Sequence, residues 1–250
     1  MTKDADATSA PEATLAPLGA LGPLGRAPLS PAVEDYLKAI YALRSEGGAE
    51  GVVNTQSLAD YLRVAPASAT NMAKKLASMG LAHHTPYRGL ELSETGEKMA
   101  LEVVRHHRII ETFLAEVLGL SWDKVHDEAE RWEHVLSEEV EQLMMDKLGH
   151  PTRDPHGAPI PSREGTFPRD EGALYLCDAR AGGYFTVIQV ADEDGATLRH
   201  LESLGVRPGA RLFVERNEKV EGVLHLKSEN GEIRVLGHAP ARGVWVQGVR

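Results

Sequence analysis

The chain has 250 residues, 42% of them apolar, and a formal net charge of −10, which is enough for two or three small domains with true cores. No apolar run approaches the roughly 20 residues that span a bilayer, no basic-then-apolar leader opens the chain, and the one cysteine, Cys177, has no internal disulfide partner. The expectation is a cytoplasmic protein with no membrane contact. Residues 30–100 hold 8 acids and 7 bases, while residues 101–170 hold 15 acids and 8 bases. Such a balance excludes a protein that coats nucleic acid generally, so any DNA contact must come from a local patch.

Residues 1–29 are rich in Ala, Pro, Gly and Leu, and Pro11, Pro17, Pro23 and Pro28 interrupt any helix. They read as a disordered tail. A winged-helix domain is expected over residues 30–95. Ser30-Pro31 starts a first helix, with Val33, Leu37, Ile40 and Tyr41 at helical spacing. Glu34 and Asp35 suit its positive N-terminal end. Asn54 or Thr55 caps a short helix to Leu62, Val64-Ala65-Pro66 breaks it, and a second helix runs from about Ala67 to Met79. That is the helix-turn-helix pattern. Ala69, Met72, Ala73 and Leu76 face inward, which leaves Ser68, Thr70, Asn71, Lys74 and Lys75 as candidate DNA contacts, types that reach bases and phosphates. Leu81 to His84 and Leu90 to Leu92 read as a hairpin, with Arg88 at the tip of this wing.

Residues 96–150 read as a helical metal-binding and dimerisation domain. Ser93 caps a helix to about Leu118 that carries His107 and Glu111 four residues apart. A single further helix is expected from Ser121 to about Leu148, with Val125, Ala129, Trp132, Leu136, Val140 and Leu143 as its apolar stripe. At about 100° per residue, His126, Glu130, Glu133 and His134 fall within one arc of that helix. Carboxylates and imidazoles without a thiolate suit a hard divalent ion such as Mn²⁺ or Fe²⁺. The surplus apolar surface has a homodimer interface as its natural destination, and a two-fold protein matches a palindromic operator in double-stranded DNA. Residues 151–170 hold five prolines and read as a linker, in which Asp154 and His156 are further candidate ligands. From 171 to 250 the period changes to two, giving five short strands and one short helix, Leu198 to Leu204, in a small barrel. Cys177 reads as packing.

The run Val125-His126-Asp127-Glu128-Ala129-x-Arg131-Trp132-Glu133-His134, together with Glu34-Asp35-Tyr36-Leu37, resembles the diphtheria toxin repressor family of metal-dependent regulators, and most of all its manganese transport regulator branch. The resemblance covers residues 30–250. It implies a mainly α protein: a winged helix-turn-helix domain, a helical dimerisation domain and a small C-terminal SH3-like β-barrel. It also implies a primary metal site of Asp35, Glu130, Glu133 and His134, and a second site built on His107, Glu111 and His126, with Asp192, Asp194 and His156 as further candidates. Iron-responsive members of the family have methionine and cysteine where this chain has Asp35 and Glu130, which tilts the expected cofactor to Mn²⁺, with Fe²⁺ as a second activator. Members with paired metals place a glutamate where this chain has Lys38, whose charge would repel a second ion. The implied function is metal-dependent repression of metal-ion transport genes. Two rivals are weaker. Glu130-x-x-Glu133-His134 differs by one residue from a zinc-hydrolase motif but lacks one of its imidazoles, and a winged helix could instead sense an organic ligand. No enzyme activity is expected.

Overall fold

A computed structural model of the protein describes residues 29–46, 52–85, 88–167, 170–227 and 231–249. The expected tail up to residue 28, Gly47-Gly48 after the first helix, and Pro86-Tyr87 in the wing turn lie outside the described residues.

The helical half begins with α1 (Pro31–Glu46), which buries Val33, Leu37 and Ile40 along one stripe. Next come α2 (Thr55–Tyr61) and α3 (Pro66–Ser78). Asn54 caps α2, its side-chain oxygen accepting the Ser57 N–H at 2.7 Å. Pro66 opens α3, where its missing N–H costs nothing. Ala69, Ala73 and Leu76 seat α3 against the core. The hairpin of β1 (Ala82–Thr85) and β2 (Gly89–Leu92) is antiparallel, and Val53 extends it through two backbone bonds to Leu90 of 2.8 and 2.7 Å. The long helix α4 (Glu94–Glu116) starts at Ser93, whose hydroxyl accepts the Gly96 N–H at 3.0 Å. A Cβ at Gly96 would lie 1.9 Å from the Leu81 carbonyl oxygen, so only glycine lets α4 leave this close to the wing.

The single helix expected from Ser121 to Leu148 is in fact two, α5 (Val125–Trp132) and α6 (Glu138–Leu148). Ser137 and the acids that follow it form a helix start of their own: the Ser137 side chain caps Val140, and Glu138, Glu139 and Glu141 occupy the first turn. The apolar stripe divides accordingly. Val125 and Ala129 are buried, but Trp132, Val135, Val140 and Leu143 are exposed, Val135 at 81%. Residues 149–167 form no helix or strand, yet they pack closely. Asp154 Oδ1 accepts the N–H groups of His156 and Ala158 at 2.9 Å each. Gly157 takes φ +86°, and a Cβ there would lie 2.1 Å from the Ile188 carbonyl oxygen.

The C-terminal strands are β3 (Ala173–Tyr175), β4 (Gly183–Val190), β5 (Arg211–Glu218), β6 (Val223–Lys227), β7 (Ile233–Gly237) and β8 (Val244–Gly248). Helix α7 (Gly195–Ser203) lies between β4 and β5, and the short α8 (His238–Ala241) follows β7. All pairs are antiparallel in the order β3-β8-β4-β5-β6-β7. The sheet is therefore open, not the closed barrel expected. Irregular register at Val187/Gln189 and Val214/Arg216 bends the strands, but the three-residue β3 at one edge and β7 at the other remain unpaired to each other. Leu198 and Leu201 of α7 cover one face, packed with Val187, Leu212, Val214, Leu224 and Val246. Cys177 is buried there as packing.

Candidate metal centre

Three helices bring the acids and imidazoles together. Asp35 stands on the second turn of α1, Glu133 closes α5, and His134 lies in the turn beyond. Ligand atoms of these three lie within 4.8 Å of one another. His134 Nε2 is 2.9 Å from Asp35 Oδ1 and 3.8 Å from Glu133 Oε1. Burial raises the Asp35 pKa, and the carboxylates of Glu133 and Glu130 add to the rise against the pull of His134. The donor set is oxygen and imidazole nitrogen, as a hard divalent ion requires.

Glu130, expected with these three, faces a different neighbour. Glu130 Oε1 lies 2.6 Å from Lys38 Nζ, which also reaches the two Glu133 oxygens at 2.9 and 2.8 Å and His107 Nδ1 at 3.0 Å. His107, Glu130 and Glu133 have the spacing of an ion site, and an ammonium group of the chain itself fills it. Burial opposes the charge on Lys38, but Glu133 and Glu130 outweigh it and raise its pKa.

A second cluster lies deeper. His107 and Glu111 share a face of α4, His126 comes from α5 and Asp192 from the end of β4, and their ligand atoms lie within 4.8 Å of one another. Glu111, Asp154 and His156 form an overlapping group. His107 Nε2 lies 3.2 Å from both Glu111 Oε1 and His126 Nδ1. Asp192 Oδ2 is 3.7 Å from His126 Nδ1 and 3.6 Å from His156 Nδ1. Glu111 and His156 are 0% exposed, yet among the described residues both Glu111 oxygens, Asp154 Oδ2 and His156 Nδ1 make no well-formed hydrogen bond. Buried polar atoms are rarely left so. His156 Nε2, 2.7 Å from the Trp122 carbonyl oxygen, must be the donor there, which leaves the Nδ1 lone pair of a neutral ring aimed at Glu111 and Asp192. These orphaned acceptors fit a cation. They also draw protons. Burial opposes charge on the rings, but Asp192 and Glu111 push His126 up to about 11, and Glu111 pushes His107 and His156 up to about 9. Burial and then Glu111 push Asp154 up to about 7. Asp194 takes no part, because its oxygens cap α7 through Ala196 and Thr197.

One residue of the centre escaped the sequence reading. Glu34 Oε2 lies 2.6 Å from His134 Nδ1, a contact across 100 positions. In the sequence Glu34 is one more acid at a helix start, and only the fold shows what it faces.

On α3, Ser68, Asn71, Lys74 and Lys75 are exposed on the face opposite the buried alanines, and Arg88 is exposed beside the wing turn. Thr70 is half-buried and its hydroxyl donates to the Pro66 carbonyl at 2.9 Å, so it is already engaged within its own helix.

Comparison with known proteins covers nearly the same span as this architecture. Residues 28–90 match the iron dependent repressor N-terminal DNA binding domain, 93–162 its metal binding and dimerisation domain, and 174–248 the FeoA domain. The iron-dependent repressor IdeR of Mycobacterium tuberculosis is 35% identical over 194 residues, covering 73% of this chain and 83% of that protein. The diphtheria toxin repressor of Corynebacterium diphtheriae is 37% identical over 129 residues, 51% of this chain and 55% of that one. A solved manganese-dependent transcriptional repressor in complex with manganese superposes with a TM-score of 0.79 at 35% identity, covering 87% of this chain and 100% of that one. The chain belongs to the iron-dependent, or diphtheria toxin, repressor family, whose members are dimerising, metal-dependent, DNA-binding transcriptional repressors and not enzymes.

Proposed function

We propose that the protein is a cytoplasmic, manganese-responsive repressor of metal-ion transport genes, with Fe²⁺ as a second activator, and that it binds a palindromic operator as a homodimer. One observation carries this reading: Asp35, Glu133 and His134 join α1, the first helix of the DNA-binding part, to the end of α5 in the dimerisation part. We assign the primary ion to these three, with Glu130 beside them, and a second ion to the cluster around Glu111, using His107, His126, Asp192, Asp154 and His156. The donor set favours Mn²⁺ and Fe²⁺ over thiophilic ions, because Cys177 lies in the core of the sheet, away from both clusters. Lys38 leaves room for one ion, not two, at the primary centre.

The chain's own residues set the switch. Asp35, Glu130 and Glu133 place three carboxylates around one helix junction, with Lys38 as the cation between two of them. Asp35 on α1 and Glu133 and His134 at the end of α5 would hold a divalent ion, which would supply the missing positive charge. Asp35 then holds α1 against α5, and α3 is carried into a fixed position on the dimer, where recognition helices need a separation near one DNA turn, roughly 34 Å. Moving such an equilibrium from 1:99 to 99:1 takes about 5.5 kcal/mol of differential binding, which is modest beside the roughly 10–16 kcal/mol of structural metal sites. The exposed Trp132, Val135, Val140 and Leu143 supply an apolar face for the dimer contact. Ser68, Asn71, Lys74, Lys75 and Arg88 face the operator, with Thr70 beside them. The domain division at about residues 95, 150 and 170 follows from this assignment of roles.

Selection of fragmented source-genome DNA by the purified protein, with Mn²⁺ and with chelator, tests this directly. A palindromic motif enriched only with Mn²⁺ is expected. Equal retention in both arms would remove the metal as the switch.

A further inference from the structure

Both ring nitrogens of His134 are engaged by neighbouring residues of α1: Nδ1 lies 2.6 Å from Glu34 Oε2 and Nε2 lies 2.9 Å from Asp35 Oδ1. A neutral imidazole has one N–H and one lone pair, whereas a carboxylate only accepts. So in the neutral ring only one of these two contacts is a hydrogen bond. If Nδ1 carries the proton, Glu34 accepts it, and the Nε2 lone pair faces Asp35 Oδ1 and, at 3.8 Å, Glu133 Oε1. Nε2 and Asp35 Oδ1 then face each other at 2.9 Å as two acceptors with no hydrogen between them, an arrangement that repels unless a cation joins them, while Glu133 Oε1 beside them already accepts from Lys38 Nζ at 2.9 Å. If Nε2 carried the proton, Asp35 would take it and the ring would present no lone pair to that centre. The tautomer therefore decides whether the centre can take an ion, and Glu34 is the group that selects it. Its side chain is only 21% exposed and His134's 11%, so water competes weakly for the contact.

We propose that Glu34 is a positioning residue: it holds His134 as the Nδ1–H tautomer with Nε2 turned toward Asp35 and Glu133, and so sets the metal affinity of that centre without touching the ion. The inference rests on the reading of Asp35, Glu133 and His134 as the primary metal site. A carboxylate behind a ligating imidazole is a general device for fixing ring orientation and raising basicity, and losing one typically weakens metal binding by about 10- to 100-fold. Glu34 and Asp35 are adjacent in the chain, so one turn of α1 supplies both the ligand and the group that orients its partner ligand. Displacing α1 would withdraw both at once.

The test is Mn²⁺ titration of the full-length protein by calorimetry for wild type, Glu34→Ala, Glu34→Gln and Asp35→Ala, with ¹⁵N NMR of the His134 ring in the diamagnetic Zn²⁺ form. Glu34→Ala is expected to weaken the primary ion by about 10- to 100-fold and leave the ion at the Glu111 cluster unchanged. Glu34→Gln, whose amide oxygen still accepts from Nδ1–H, is expected to lose less. The wild-type ring should show a protonated Nδ1 and a metal-shifted Nε2. Primary affinity within twofold of wild type in Glu34→Ala, or a ring protonated on Nε2, would overturn the proposal while Asp35→Ala still removed one ion. If Asp35→Ala removed none, the metal-site reading itself would fail and the role of Glu34 would fall with it.

Discussion

The two clusters contain the same kinds of side chain and differ in how their charge is balanced. At the primary centre the carboxylates already have partners. Glu34 and Asp35 flank His134, Lys38 lies between Glu130 and Glu133, and Asp35 is 40% exposed to water. Around Glu111 the carboxylate oxygens of Glu111, Asp154 Oδ2 and His156 Nδ1 are buried and have no well-formed hydrogen bond among the described residues. A partly balanced cluster, open to water at Asp35 and set at a joint between two helices, can exist with or without its ion, as a switch must. A buried cluster of such acceptors must be answered either by protons on its rings or by a cation. The elements it joins, α4, α5, residues 154–156 and the end of β4, tie the helical half to the sheet. On the proposed reading, the first cluster regulates and the second supplies cohesion.

Several substitutions would sharpen or break this division. Asp35→Ala should lower operator affinity at Mn²⁺ levels that saturate wild type by about a hundredfold, the ratio between a nearly full and a one-in-a-hundred competent population, with little change in melting temperature. Loss of stability with DNA binding intact would reverse the assignment. Glu111→Gln should do the opposite. A hundredfold excess of Mn²⁺ over its Kd stabilises the wild-type fold by about 2.7 kcal/mol through that site, and calorimetric melts of the variant should lose this increment while operator binding at saturating metal stays within a few-fold.

Acidity should separate the clusters too. In the metal-free protein His107, His126 and His156 are pushed up to about 9, 11 and 9, so all three hold protons at pH 7. An ion at the Glu111 cluster must expel the proton of each nitrogen it takes. Its affinity therefore rises with pH through about 9, where His107 and His156 lose their protons, and on to about 11 for His126, and below about 9 it falls by about tenfold for each displaced proton per unit of acidification. Calorimetry in buffers of different ionisation heat should show proton release; pH-independent affinity between 6 and 8 would contradict the charge balance described. Lys38→Gln should raise Mn²⁺ capacity, measured by equilibrium dialysis, by one ion per chain, because it opens the group of His107, Glu130 and Glu133; unchanged capacity would mean that the ammonium does not hold that place. Smallest is the DNA face. Lys74→Ala and Lys75→Ala should each reduce the slope of log affinity against log salt by about 1, without altering metal binding at either cluster.

Much of this was legible in the sequence where the signal was local. Asn54, Pro66 and the spacing of Ala69, Ala73 and Leu76 mark the helix-turn-helix, and α3 starts and stops within a residue of its expected ends. The break between α5 and α6 was not read, because Val135, Val140 and Leu143 continue the apolar period of Val125 and Ala129 although they face outward. Periodicity cannot tell a core face from a surface kept for another subunit. Strand periods likewise gave the C-terminal strands but not whether their edges meet, and β3 was too short to register. Glu34 and Lys38 acquire their roles from residues about a hundred positions away. No spacing rule reaches that far.

The central claim is that the primary ion ties α1 to α5 and that this tie gates DNA binding. Hydrogen exchange of α1 amides against free Mn²⁺, read on the same samples as operator affinity, tests it most directly. The account predicts that protection of α1 and operator affinity rise together, with one Mn²⁺ midpoint, and that both responses vanish in Asp35→Ala. Operator affinity that rises with Mn²⁺ while α1 exchange stays unchanged would contradict it.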